Sequence, residues 1–307
     1  MRFFLLSMLL LLGACKPDAS SDAPKACLDV VAAKMIRIQG GVFIMGEDPY
    51  YPEEGPAHMV QVDDFWIDAH EVTNAEFAAF VKATGYVTMA ERDPPKISGA
   101  PPDMLIPGSA VFSIPSLEDP RWWRWVVGAE WRHPSGPTET ITGRDTEPVV
   151  QIAYEDAEAY AHWAGKELPA EAQWEYAARA GQKTLPEPLD DAGAPQANYY
   201  QGIFPVMDQG LDGFRSRAPV GCFKPNAYGL YDMIGNVWEW TRDPGGAQPD
   251  MHIIKGGSYL CASNYCARYR PAARQFQERG LGTDHIGFRL VSNSKTPPEP
   301  PEPLTRR

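Results

Sequence analysis

The sequence is short of positive charge. Lys and Arg number 28 against 40 Asp and Glu, for a formal net charge of -12. Nucleic-acid binders gain most of their affinity by neutralising phosphates with basic side chains, so nucleic acid is excluded as the main partner. Beyond its first dozen residues the chain has no apolar run near the roughly 20 residues needed to cross a bilayer. It has no internal repeat and no mid-chain linker, which argues against arrays and two-domain arrangements. CxxC and HxxxH spacings are missing, so a four-ligand structural zinc site lacks its donors. His58, His70, His133, His162, His252 and His285 are scattered and read mostly as surface or core-edge residues.

Hydrophobic residues at 44% and charged residues at 22% are the balance of a chain that buries a core. With 30 Pro, 27 Gly and 11% aromatics, the expected fold is a loop-rich single α+β domain over residues 34–293, not a helical bundle. Met1-Arg2 followed by the apolar run Phe3–Leu12 reads as an export signal over residues 1–14. It ends Gly13-Ala14-Cys15, as bacterial lipoprotein signals do. Cys15 is therefore expected to carry lipid, with residues 15–33 as the tether and the domain on the periplasmic side of a bacterial membrane. Residues 294–307 are Pro-rich, lack apolar periodicity and are expected to be disordered.

Locally, Met35–Ile38 and Gly41–Met45 suggest a strand pair turned at Gln39-Gly40, and residues 60–67 alternate in a similar way. Thr73 and Glu76 form a capping box ahead of Phe77, Phe80 and Val81, and Gly85 closes that helix. A second helix is expected from about Glu155 to Ala164, and a third between Pro169 and Gly181. The stretch from Arg92 to Glu147 holds Trp122, Trp123, Trp125 and Trp131 with little periodicity. A loop that long is expected to be functional or pinned by its tryptophans.

An exported protein meets an oxidising compartment. Cys27, Cys222, Cys261 and Cys266 could form two bridges in any of three ways, or one bridge and a reactive pair, and spacing does not choose. Cys261 and Cys266 lie in the dense segment Gly256–Arg270. Five residues of helix would leave their side chains about 140° apart, so only a loop could bring them together. Two nearby thiols can close a disulfide, the commoner outcome on spacing alone, or hold a soft ion, for which Cu(I) is the best-suited first-row metal. Arg268 and Arg270, if close, would lower the thiol pKa values.

Gly256–Arg270 resembles the active-site segment of the formylglycine-generating enzymes, or sulfatase-modifying factors. Further matching stretches are GGVFIMG at 40–46, EVTNAEFAAFVKATGY at 71–86, WRHPSGP at 131–137, AYAHWAGKELPAEAQWEYAARAG at 159–181, NAYGLYDMIGNVWEW at 226–240 and IGFRLV at 286–291. The resemblance implies a C-type-lectin-like variant of the α+β class. It implies oxidation of a CxPxR cysteine in an unfolded sulfatase, or in another cysteine-containing peptide, to formylglycine with O2 and Cu(I). Cys261 and Cys266 would be the copper ligands, Ser258 and Tyr265 would border the oxygen and substrate pocket, and Trp238 would stand in its wall. Two Ca2+ sites are implied as well. Asn198, Tyr199, Asp212 and Phe214 would form one, and Asp232, Gly235, Val237 and Glu239 the other.

The chain departs from the family pattern in places. Ala161, Ala178, Pro271 and Leu290 stand where secretory-pathway members carry extra cysteines, Ala262 stands where His is frequent, and Gln275 where many members have Ser. Two alternatives follow: a periplasmic oxidase like those of pyoverdine maturation, which does not depend on a cysteine pair, and a non-catalytic lectin-like surface lipoprotein with Cys261 and Cys266 locked as a disulfide.

Overall fold

A computed structural model of the chain describes residue 27 and residues 35–96, 98–183, 187–246 and 249–298. The expected signal peptide, Cys15, all of the tether except Cys27, and residues 299–307 of the tail lie outside the described residues. In chain order the strands and helices are β1 (Met35–Ile38), β2 (Gly41–Met45), β3 (His58–Val62), β4 (Phe65–Asp68), α1 (Asn74–Thr84), β5 (Gly108–Phe112), β6 (Trp123–Val127), α2 (Tyr154–Trp163), α3 (Glu171–Arg179), β7 (Gly202–Ile203), β8 (Met207–Asp208), β9 (Trp238–Pro244), β10 (Met251–Lys255), β11 (Arg274–Glu278), β12 (Ile286–Gly287) and β13 (Val291–Ser292). Short helices and strands joined by long loops are the α+β, loop-rich architecture that the composition implies.

Each helix begins at a side chain that satisfies backbone N–H groups left over at a helix start. Glu76 accepts the Thr73 N–H at 2.7 Å, and Thr73 Oγ1 accepts the Glu76 N–H. Asp156 accepts the Ala153 N–H at 3.0 Å ahead of α2, and Gln173 accepts the Ala170 N–H at 3.0 Å ahead of α3. Gly85 ends α1 in the left-handed conformation at φ 70°, which glycine adopts at least cost. Phe77 and Phe80 from α1 meet Tyr160 of α2 and bury against Phe288 and Trp131, forming the larger core.

The sheets correct one expectation. β1 and β2 do not pair with each other across Gln39-Gly40: β1 pairs with β4, and β2 with β3. The alternation over 60–67 is likewise two strands, β3 and β4, broken at Asp63-Asp64. The chain changes sheets at Gly40, whose α-carbon is pressed against the β3–β4 turn. An added Cβ there would lie 2.3 Å from the Val62 carbonyl oxygen. The larger sheets run β1-β4-β13 and β11-β10-β9-β12, in which β9 and β12 are parallel, and β2-β3, β5-β6 and β7-β8 form two-stranded sheets. The tryptophan-rich stretch resolves into the hairpin β5–β6, with Trp131 in the core. Cys27 pairs with Cys222 in a disulfide, settling a pairing that spacing left open.

Between α3 and the second sheet runs a buried ionic chain. Lys255 Nζ, fully buried, lies 3.4 Å from Glu171 and 3.2 Å from Glu175. Arg274 and Arg179 close the two ends. Removing one member of such a chain strands charge away from water, so Lys255→Met is expected to cost about 3–5 kcal/mol of stability, read by urea unfolding.

Candidate active site

After β10 the chain makes a glycine turn, Gly256-Gly257, both at positive φ, and enters the cysteine loop. Gly257 admits no side chain, since a Cβ would stand 2.7 Å from the Tyr269 α-carbon on the returning strand of the loop. Within the loop the Cys266 N–H donates to the Ala262 carbonyl at 2.8 Å and the Cys261 N–H to Ser258 O at 2.9 Å. These turns put the two sulfurs 3.5 Å apart. Both thiols are free, with Cys261 buried and Cys266 partly so. A disulfide needs about 2.05 Å, so the pair is adjacent but not bonded.

The two thiols differ electrically. Cys266 is brought down to about 6, first by the hydrogen bond from Cys261 and then by Arg268, whose Nη1 lies 3.9 Å from the sulfur. Cys261 is pushed well above its usual range by that same hydrogen bond and by burial. Of the two arginines singled out in the sequence, only Arg268 reaches a sulfur; Arg270 is taken by Glu54. The expectation that both thiols are lowered is therefore corrected: Cys266 is lowered and Cys261 is raised.

The sulfurs open onto a cavity of about 150 Å³ that Ser258 and Trp238 also line. Ser258 and Trp238 are buried. Ser258 Oγ accepts the Leu260 N–H at 3.2 Å, and its own O–H donates to no group among the described residues. Tyr265 is 59% exposed at the mouth, where its ring stacks on Trp122 and on Phe204 of the β7–β8 hairpin, at 5.5 and 4.9 Å between centroids. Of the tryptophan cluster, Trp122 and Trp123 serve the site.

His285 also lines the cavity, and no spacing in the sequence pointed to it. Its Nδ1 is 2.5 Å from the Thr283 hydroxyl, its ring packs on Trp123 at 4.8 Å, and burial lowers it to about 3. It stays neutral. Gln275, a departure from the family pattern, faces the same cavity from β11.

Two soft thiols at this separation, beside a guanidinium and in an aromatic cavity, are a donor set that suits Cu(I). The oxygen donors fall into two neighbouring groups joined by a bridge between Asn198 and Gly235. In the first, the Gln201 amide nitrogen is wedged between the Tyr199 carbonyl and Asp212 Oδ2, and the Phe214 N–H donates to Asp212 at 2.8 Å. The positive end of that amide dipole takes the point where two oxygens converge. Asn198 turns its amide to Ser216 O and Asn236. In the second, Asp232 and Glu239 are buried with Glu71 around one guanidinium, Arg289, while Val237 is fully buried and the Gly235 N–H donates to Gly256 O. Burial and the neighbouring Asp232 push Glu71 well above the usual carboxylate range, and its Oε2 is buried without a hydrogen-bond partner among the described residues. Among the described residues no three or more Asp, Glu, His or Cys side chains gather as a metal site; the oxygens converging in the first group are the better match to a hard cation such as Ca2+, because both Glu239 oxygens in the second are taken by Arg289 and Trp174.

Residues 20–294 match the family of sulfatase-modifying factor enzyme 1-like domains. The formylglycine-generating enzyme of Mycobacterium tuberculosis is 46% identical, over 85% of this chain and 98% of its own. That of Bos taurus is 42% identical, over 85% of this chain and 75% of its own. A Bos taurus protein named inactive C-alpha-formylglycine-generating enzyme 2 is 37% identical, over 86% and 89%. Among solved structures, PvdO from Pseudomonas aeruginosa superposes with a TM-score of 0.62 at 25% identity, covering 87% of this chain and 98% of its own. CarF shares the fold at TM-score 0.53 and 21% identity, over 85% of this chain and 98% of its own.

The thiol asymmetry is measurable in metal-free protein. Iodoacetamide is expected to modify Cys266 and spare Cys261, with the Cys266 rate half-maximal near pH 6 and Arg268→Ala moving that midpoint upward, as read by peptide mass spectrometry.

Proposed function

Because this chain belongs to the family of sulfatase-modifying factor enzyme 1-like domains, we propose that it is a formylglycine-generating oxidase. On this reading it converts the cysteine of a CxPxR-type segment in an unfolded sulfatase to formylglycine, using O2 and Cu(I). Family membership alone does not separate oxidase from inactive relative, since one similar protein is named inactive. The observation that carries the reading is the pair of free sulfurs, Cys261 and Cys266, 3.5 Å apart on the wall of an aromatic cavity.

Cys261 and Cys266 are the residues that would hold the copper, which when bound supplies the electron-transfer chemistry with O2 that side chains lack. The chain's own residues do the rest. Arg268 balances the charge of the Cys266 thiolate. Tyr265, Trp122 and Phe204 form the mouth, where flat rings can orient an extended peptide and shed water from the cysteine it delivers. Deeper in, Trp238 and neutral His285 give the target thiol walls without competing charge, and Ser258 offers its O–H to a group in the cavity. About 150 Å³ is room for one small side chain and little else, which suits a substrate presented as a flexible segment.

The reading extends to two Ca2+ ions, at Asn198, Tyr199, Asp212 and Phe214 and at Asp232, Gly235, Val237 and Glu239, rigidifying loops beside the site. It extends also to an exported chain lipidated at Cys15, held on the periplasmic side of a membrane by its tether. The Cys27–Cys222 disulfide suits such an oxidising compartment. The alternative of a binding module with a locked cysteine pair finds no support in two unbonded thiols.

Cys261→Ala and Cys266→Ala are each expected to abolish aldehyde formation on a CxPxR peptide, followed by mass spectrometry. Wild type stripped with a Cu(I) chelator is expected to lose activity and regain it with Cu(I). Turnover that survives loss of both thiols would favour the cysteine-independent oxidase. For calcium, millimolar Ca2+ is expected to raise the melting temperature of wild type, and Asp212→Asn to reduce that rise.

A further inference from the structure

The turn that carries Cys266 is poorly held by its own residues. Ser263, Asn264 and Tyr265 are exposed, and the backbone tie is a pair of N–H donations, from Tyr265 and Cys266, to the one Ala262 carbonyl. Besides the Trp122 and Phe204 rings on Tyr265, this turn is faced by a segment from 215 residues earlier, the single-turn helix Pro52–Glu54 and the tyrosines before it. The Tyr51 hydroxyl accepts the Ala267 N–H at 3.1 Å, and its ring lies 4.0 Å from the Arg268 guanidinium carbon. Glu53 Oε1 takes Arg268 Nε at 3.2 Å and Nη2 at 2.5 Å, which leaves Nη1 aimed at Cys266 Sγ, 3.9 Å away. Glu54 takes Arg270 Nη2, next to the Tyr50 ring. A free arginine samples many rotamers; one held by a carboxylate on one side and an aromatic face on the other does not.

We propose that Glu53 is a positioning residue for the sulfur pair: together with Tyr51 it fixes Arg268, and Arg268 fixes Cys266 Sγ across from Cys261 so that both sulfurs can share one Cu(I). Cys261 is held more firmly, fully within the core around Tyr199 and Tyr269, against which Cys266 packs only in part. The proposal rests on the copper reading above. It adds that the second sulfur is placed by a distant segment as well as by its own loop. Groups behind a ligand that orient it commonly matter about 10- to 100-fold in metal affinity.

The test is the Cu(I) dissociation constant of the whole protein, measured by competition with a chromogenic Cu(I) chelator, alongside the melting temperature of the metal-free form. Glu53 is partly exposed, so its replacement should fold. Glu53→Ala is expected to weaken Cu(I) binding about tenfold or more with little change in melting temperature, and Glu53→Asp to recover most of the affinity. Unchanged affinity in Glu53→Ala overturns the proposal while leaving the copper reading intact. So does an equal loss in both variants accompanied by a lower melting temperature, which would mark a merely structural contact. Absence of Cu(I) uptake by wild type overturns both.

Discussion

One guanidinium holds the two larger sheets together. Arg289, fully buried, gives Nε and Nη2 to the two oxygens of Glu239 on β9 at 2.7 and 2.8 Å, reaches the Asp68 carbonyl on β4, and donates to Tyr231 O at 3.0 Å. Trp174 of α3 completes the set by donating its indole N–H to Glu239 at 2.8 Å. Burying a charge is costly unless it is paired and hydrogen-bonded, and here the geometry leaves the arginine one arrangement. That arrangement fixes β9 relative to β4 and α3. Side chains alternate along a strand, so with Glu239 aimed at Arg289, its neighbour Trp238 must face the other way, into the sulfur cavity. Parallel pairing of β12 with β9 then sets His285 beside it, through the Trp238 N–H to the His285 carbonyl at 2.9 Å. The cavity wall is thus a consequence of an ion pair on the opposite face of the same strand.

Local chemistry made some of this legible in the sequence. Thr73 and Glu76 announced α1 because a capping box is a contact between residues three apart, and Gly85 announced its end for a similarly local reason. The segment Gly256–Arg270 was recognisable because its glycines, cysteines and arginines are contiguous. What failed was long-range. Gln39-Gly40 looked like a hairpin turn, but strand pairing is decided by what buries Ile38 and Val62 against α3, and that is not written between β1 and β2. Arg270 looked as well placed as Arg268, yet Glu54 captures it from the far side. His285 carries no local mark, because its place in the cavity depends on β12 finding β9.

The cysteines illustrate the same division. Cys27 and Cys222 are 195 residues apart and bonded; Cys261 and Cys266 are five apart and not. Proximity in sequence is therefore no guide to which pair oxidises. The bonded pair lies in a small cluster of its own with Phe223 and Phe214, away from the second pair. The free pair sits in a turn whose ends are tied down by Gly257 against Tyr269 on one side and by Tyr51 on the other.

Charge explains why such a pair is tolerable inside an aromatic cavity. Two thiolates 3.5 Å apart would repel strongly in a low-dielectric site, and two neutral thiols would offer a metal little. The structure takes the intermediate state. The contact between the sulfurs and burial raise Cys261, while that contact and Arg268, itself met by Glu53, lower Cys266. The chain of partners runs outward from the buried sulfur to the partly exposed carboxylate, each charge facing its opposite. A soft monovalent cation arriving at the sulfurs would replace the shared proton, so that the site gains one charge and loses one. The surrounding dipoles and aromatic faces would then need no rearrangement, which is the condition for a site that is organised before its metal and its substrate arrive.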